Sequence, residues 1–149
     1  MIIYVNGDSH SAGAELIKDY CFANDDQRYV YLGRTPHPEA IPKTFGSHLA
    51  HALNAGYFLD AESASSNYRI LRTTKQFLEE KYSTTKTIII GWSTWEREEL
   101  WHKDRYYQLT ASGSDSVPNE LFDTYQSWVM EQTQDKLREK QEYWHKQIY

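Results

Sequence analysis

The stretch IIYVNGDSHSAG, residues 2–13, is an apolar run that breaks into Gly7, Asp8, Ser9 and His10. A strand-to-helix turn needs a Gly or an Asp, not Asp-Ser-His in a row. Two readings fit. In one, Asp8 or Ser9 caps a helix, its side-chain oxygen accepting a free backbone N–H of the first turn. In the other, the turn presents Ser9 for acyl transfer, and the N–H groups and positive dipole end of the helix steady an oxyanion. Small residues at Ser63-Ala64-Ser65-Ser66 would let a second backbone N–H approach the same oxygen, and Asn67 could add an amide donor. Ser66 or Asn67 serves equally as a helix cap. His48 and His51 lie at i,i+3 and His37 could join them. A zinc site needs three or four convergent ligands, and nothing in this spacing makes them converge. No metal or cofactor is expected.

For these residues to meet, the chain must deliver them to one place. Three apolar runs read as strands, at 2–5, 56–59 and 87–91. The third, TIIIG, is β-branched and apolar on both faces, as a strand inside a parallel sheet is. Helices are expected at 12–20, 44–54 and 67–82. The second carries Phe45, Leu49, Ala52 and Leu53 on one face and stops at Asn54-Ala55-Gly56; the third carries Ile70, Leu71, Phe77 and Leu78. Residues 21–43 hold three of the four prolines and read as an irregular surface excursion. Strands alternating with helices imply a parallel sheet with right-handed crossovers. Each strand then hands its loop to the same carboxyl edge, where ligands bind at the reversal of strand order. With the order 2-1-3, loops 6–10, 60–67 and 91–98 share a crevice that contains Ser9. From Pro118 the chain reads as one amphipathic helix of roughly seven or eight turns. Its stripe runs through Leu121, Tyr125, Trp128, Leu137, Trp144 and Ile148, and a second copy or partner segment is expected to cover Trp144 and Ile148. No strand follows it, so the chain reads as shorter than a complete fold of this kind.

Composition narrows the function. With 149 residues, 40% of them hydrophobic, the chain has room for a core. A net charge of -5 without a basic stripe argues against nucleic-acid binding. No apolar run approaches the ~20 residues of a membrane helix. A lone Cys21 excludes an intramolecular disulfide, and no basic-then-apolar leader opens the sequence. A cytoplasmic location is expected. Trp92, Trp95, Trp101, Tyr106 and Tyr107 read as the wall of an acyl or sugar pocket, as core packing, or as a subunit interface.

The segment VNGDSHSAGAE, residues 5–15, resembles the first sequence block of the SGNH (GDSL-type) hydrolases, esterases and lipases of flavodoxin-like fold. The resemblance implies that Ser9 is the nucleophile and that its N–H serves the oxyanion hole. AESASSNYRILRTT, residues 61–74, is similar to the second block, in which a glycine N–H contributes; Ala64, Ser65 and Ser66 stand across that position. IIIGWSTWERE falls where the third block, Gly-x-Asn-Asp, belongs, and Ser93-Thr94-Trp95-Glu96 offers no asparagine. The last block, Asp-x-x-His, which supplies the base and its carboxylate, is absent. The nearest spellings are Glu99-x-x-His102 and Glu142-x-x-His145, both of which read as surface pairs on helices. His10 adjoins Ser9, but successive side chains usually point apart. The pattern most resembles SGNH-like proteins of marine bacteriophages and environmental sequences.

The expectation is therefore a single α/β domain over 1–149, a truncated three-layer flavodoxin-like (SGNH-hydrolase-like) parallel sheet with a long C-terminal helix. Its expected function is serine ester hydrolysis of a small ester or acylated substrate, with Ser9 surrounded by Asp8, His10, Ser66, Asn67 and His102. The alternative is a non-catalytic interaction or assembly module, phage-related, that keeps the fold and forms homo-oligomers through the C-terminal helix.

Overall fold

The structure, a computed structural model, describes residues 1–14, 16, 17, 35–81, 83, 85–111 and 117–147. Strand β1 (Ile2–Asn6) is the centre of a three-stranded parallel sheet between β2 (Gly56–Leu59) and β3 (Thr85–Ile90). The order β2-β1-β3 is the one under which the three loops were expected to share a crevice.

Side chains alternate across a pleated strand, so β1 has two faces to bury. Ile3 and Val5 form a buried cluster with Ala50 of helix α2 (Phe45–Ala52), and Tyr57, Leu59 and Ile89 from the flanking strands pack around it. Tyr4 and Asn6 point the other way, to helix α3 (Asn67–Lys81), whose Ile70, Thr74 and Phe77 recur at i, i+4 and i+7. Phe77 stacks on Tyr4 with ring centroids 4.2 Å apart. A helix on each face of a small parallel sheet results. The helices sit close to where their periodicity puts them, with the Thr44 hydroxyl capping α2 through the Ser47 N–H.

Two expectations fail, each for a local reason. Helix α1 is a single turn, Ser9–Ala12, not a helix over 12–20. Asp8 starts it, and Gly13 ends it in the left-handed conformation at φ 69°, its N–H returning to the His10 carbonyl. Residues 15 and 18–20 of the expected helix, and most of the 21–43 excursion, lie outside the described residues. The single long C-terminal helix is in fact two, α4 (Phe122–Met130) and α5 (Gln134–Lys146). Thr133 breaks it: its backbone is extended (φ -101°, ψ 159°), and its hydroxyl accepts the Lys136 N–H to cap the second helix. A polar cap residue does this without Gly or Pro, so a stripe of apolar residues runs through the break unmarked.

Between β3 and α4 lies an antiparallel hairpin that has no counterpart in the expected elements, β4 (Glu98–His102) and β5 (Arg105–Leu109). Its turn residues, Lys103 and Asp104, are both at positive φ, as a two-residue type I′ connection requires. Leu109, Val117 and Tyr125 form a second buried cluster that joins this hairpin to α4. Trp144 is only 3% exposed, but its cover comes from this chain. Tyr68 of α3 meets it edge-on at 4.2 Å, and Trp92 lies at 6.4 Å. The expected second copy is not what buries it; Ile148 lies outside the described residues. Among the described residues no helix is long and apolar enough to cross a membrane.

Because the Trp144 contacts are intramolecular, Trp144→Ala should lose about 3–5 kcal/mol of unfolding free energy. That loss should be the same at widely separated protein concentrations, since a subunit contact would make it concentration-dependent. Urea unfolding at two concentrations checks both points.

Candidate active site

The site is built outward from Asn6, the last residue of β1, which is fully buried. Its amide nitrogen lies within hydrogen-bond reach of the Tyr4 hydroxyl (2.9 Å), the Ile70 carbonyl (3.0 Å), and the Thr73 and Thr74 hydroxyls (2.8 and 2.9 Å). With two hydrogens it serves two of these at a time. Its oxygen accepts the Gly7 N–H at 2.8 Å and the Arg69 guanidinium at 3.4 Å. Arg69 is itself buried, and it donates to the Asp60 carbonyl (2.7 Å) and pairs with the Asp60 and Glu62 carboxylates (3.2 and 2.9 Å). Tyr4 donates to Asp60 Oδ2 at 2.7 Å. Burial pushes the Tyr4 phenol far above its ordinary pKa, so it remains a donor. This network fastens the loop after β2 to the end of β1.

The turn after Asn6 depends on close approach. A Cβ on Gly7 would lie 2.8 Å from Ser11 Cβ and 2.9 Å from the Gly91 carbonyl; one on Gly91 would lie 2.5 Å from Ser11 Oγ. The two glycines leave room for buried Ser11 and let the first and third loops touch. Side chains complete the junction. Asp8 Oδ1 accepts the His10 N–H at 3.1 Å, so the capping reading of Asp8 holds, and Asp8 Oδ2 pairs with Arg97 at 3.3 Å. Arg97 also donates to Ser93 Oγ at 2.8 Å. Asn67 accepts the Ser93 N–H (2.8 Å) and donates to the Ser93 carbonyl (3.1 Å). The loops after β1, β2 and β3 therefore do meet at the carboxyl edge.

The candidate residues do not all meet there. Ser9 is half-buried and lines a cavity of about 190 Å³ with His10, Gly13, Ala14 and Leu16, all from its own turn or just beyond. Neither its Oγ nor its N–H has a hydrogen-bond partner among the described residues. The His10 side chain is 94% exposed, with Nδ1 3.4 Å from Asp8 Oδ1. Ser66 donates its N–H to Gln108 Oε1 at 2.9 Å, while its Oγ accepts the Arg69 N–H and caps α3. Asn67, engaged with Ser93, keeps one amide hydrogen. Ala64, in the loop after β2, adopts φ 61°, the left-handed conformation that favours glycine.

His102 belongs elsewhere. It sits on β4, 3.2 Å from Glu120 Oε2, and lines a different cavity. The expected helical pairing of Glu99 with His102 is corrected by the strand, on which i and i+3 point to opposite faces. Glu99 is engaged by Arg72 (2.6 and 3.0 Å) and by Gln108 (2.9 Å). The side chain of His145 lies outside the described ones. His48 and His51 lie on α2, and among the described residues no three His, Cys, Asp or Glu converge on a metal site. Arg69 and Arg97 are the important residues that pattern reading passes over. Their signal is a cation next to loops of small hydroxylated residues, which a solvated surface shows equally well.

Two substitutions separate scaffold from site. Arg69→Ala strips the partner from Asp60 and Glu62 and should cost about 3 kcal/mol. Ser65 is fully buried, and its hydroxyl has no partner among the described residues, so Ser65→Ala should gain about 1 kcal/mol in the same urea measurement. No protein-family model, curated protein or solved structure matches the chain.

Proposed function

We propose that this chain is a serine ester hydrolase of the SGNH type, flavodoxin-like in its strand order, that acts on small ester or acylated substrates through Ser9. One observation carries the reading: Ser9 and His10 line the same cavity while Asp8 Oδ1 lies 3.4 Å from His10 Nδ1. A carboxylate at Nδ1 favours the tautomer whose Nε2 accepts a proton. His10 takes the Ser9 proton through one water, since no direct bond joins the two side chains. Ser9 Oγ attacks the carbonyl carbon, and the Ser9 N–H donates to the developing oxyanion. His10 returns the proton to the departing alcohol, and a water then releases the acyl group. An exposed base and a single backbone donor make for slow turnover.

A second reading has its own support. Asn67 and the Ser66 N–H, both expected from the sequence as candidate oxyanion donors, are engaged by Ser93 and Gln108. Those bonds suit a non-catalytic interaction module that keeps the fold.

Turnover of p-nitrophenyl acetate separates the two. The hydrolase reading expects weak activity that is lost in Ser9→Ala, falls about tenfold or more in His10→Ala, and is unchanged in His102→Ala. Turnover that survives Ser9→Ala removes the assigned nucleophile, and the absence of any Ser9-dependent turnover favours the interaction module.

A further inference from the structure

The hairpin turn carries a second cavity, about 370 Å³, lined by His102, Lys103, Arg105, Tyr107, Pro118 and Glu120 among others. In a chain of net charge -5, this wall holds two permanent cations and an imidazole against one carboxylate. The strand register puts them there: His102 pairs with Arg105 across the turn, and Lys103 sits at its tip. Arg105 is fixed before any ligand arrives. Its Nε donates to the Tyr107 hydroxyl and its guanidinium carbon lies 4.7 Å over the Tyr107 ring. The two terminal nitrogens have no acceptor among the described residues. Lys103 and His102 both grip the Glu120 carboxylate, at 2.6 and 3.2 Å, and the Lys103 contact foremost holds that carboxyl below its usual range. The cavity thus already holds one carboxylate of its own and offers an immobilised planar fork as well.

We propose that this cavity binds a small molecule bearing a phosphate or carboxylate group, with Arg105 as the bidentate donor, Lys103 as the counter-charge and His102 as a further N–H donor. Glu120 is the internal anion that the ligand displaces. A planar guanidinium matches two oxygens of either group, which a lone ammonium does not. Glu120 is mostly exposed, and an exposed ion pair gives way easily to a better-placed oxyanion. The site shares no lining residue with the Ser9 cavity, so it stands or falls separately from the hydrolase reading.

The test is an NMR titration of the full ¹⁵N-labelled chain with inorganic phosphate and, separately, succinate, at ionic strength held constant with sodium chloride. Saturable shifts at His102, Arg105 and Glu120 are expected, with a Kd on the order of 1 mM. Glu120→Gln should bind about threefold more tightly, Arg105→Ala about tenfold more weakly, and Ser9→Ala as wild type. Shifts that fail to saturate with both anions overturn the proposal. So does unchanged affinity in a folded Arg105→Ala, or weaker binding in Glu120→Gln, which stays informative even if the arginine variant misfolds.

Discussion

A fully buried amide at the end of the central strand is the constraint on which the rest depends. Asn6 lies where β1 is covered on both faces, so neither its donors nor its acceptor can turn to water. Each group left unpaired there would cost about 1–3 kcal/mol. The structure answers with Tyr4, Arg69, Gly7 and the first half of α3, and Arg69 in turn needs Asp60 and Glu62. The loop after β2 and the start of α3 are therefore fixed relative to β1 by polar bonds, while Ile3 and Val5 secure the opposite face by apolar packing.

This arrangement divides labour at the carboxyl edge. Side chains from the second and third loops hold the loops together, Asn67 on Ser93 and Arg97 on Asp8 and Ser93, while the Gln108 side chain of β5 accepts the Ser66 N–H. The first loop contributes the groups without such duties. Among the described residues, Ser9 has an uncommitted hydroxyl and N–H, and the His10 imidazole is steered by Asp8 alone. Organised this way, the carboxyl edge has a rigid floor and a solvent-facing imidazole.

The central part of the fold was legible because its signals are period-based. The run before Gly7 and the stripe of 67–81 are buried as their spacing implies, whereas TIIIG, read as a strand inside the sheet, forms an edge of it and leaves Ile88 41% exposed. What escaped notice turns on single residues. The Lys103-Asp104 turn lacks the Gly that marks most type I′ connections, so nothing in the spacing marks the hairpin, whose Glu99 and His102 read as helical. Thr133 splits a helix by one side-chain bond, and Trp144 finds its cover on Tyr68, distant in sequence. The cap at Asp8 was legible, whereas the partners that engage Ser66, Asn67 and His102 lie across tertiary contacts that spacing does not encode.

The central claim is that the Gly7-Asp8-Ser9-His10 turn presents an activated serine. Labelling with a fluorophosphonate, with the modified residue mapped by mass spectrometry, tests this most directly, because the reagent reports nucleophilicity without requiring the right substrate. The expected result is a single phosphonylated serine, Ser9, with the rate of labelling reduced in His10→Ala and in Asp8→Asn. An unlabelled Ser9, or equal labelling of Ser9 with and without His10, contradicts it.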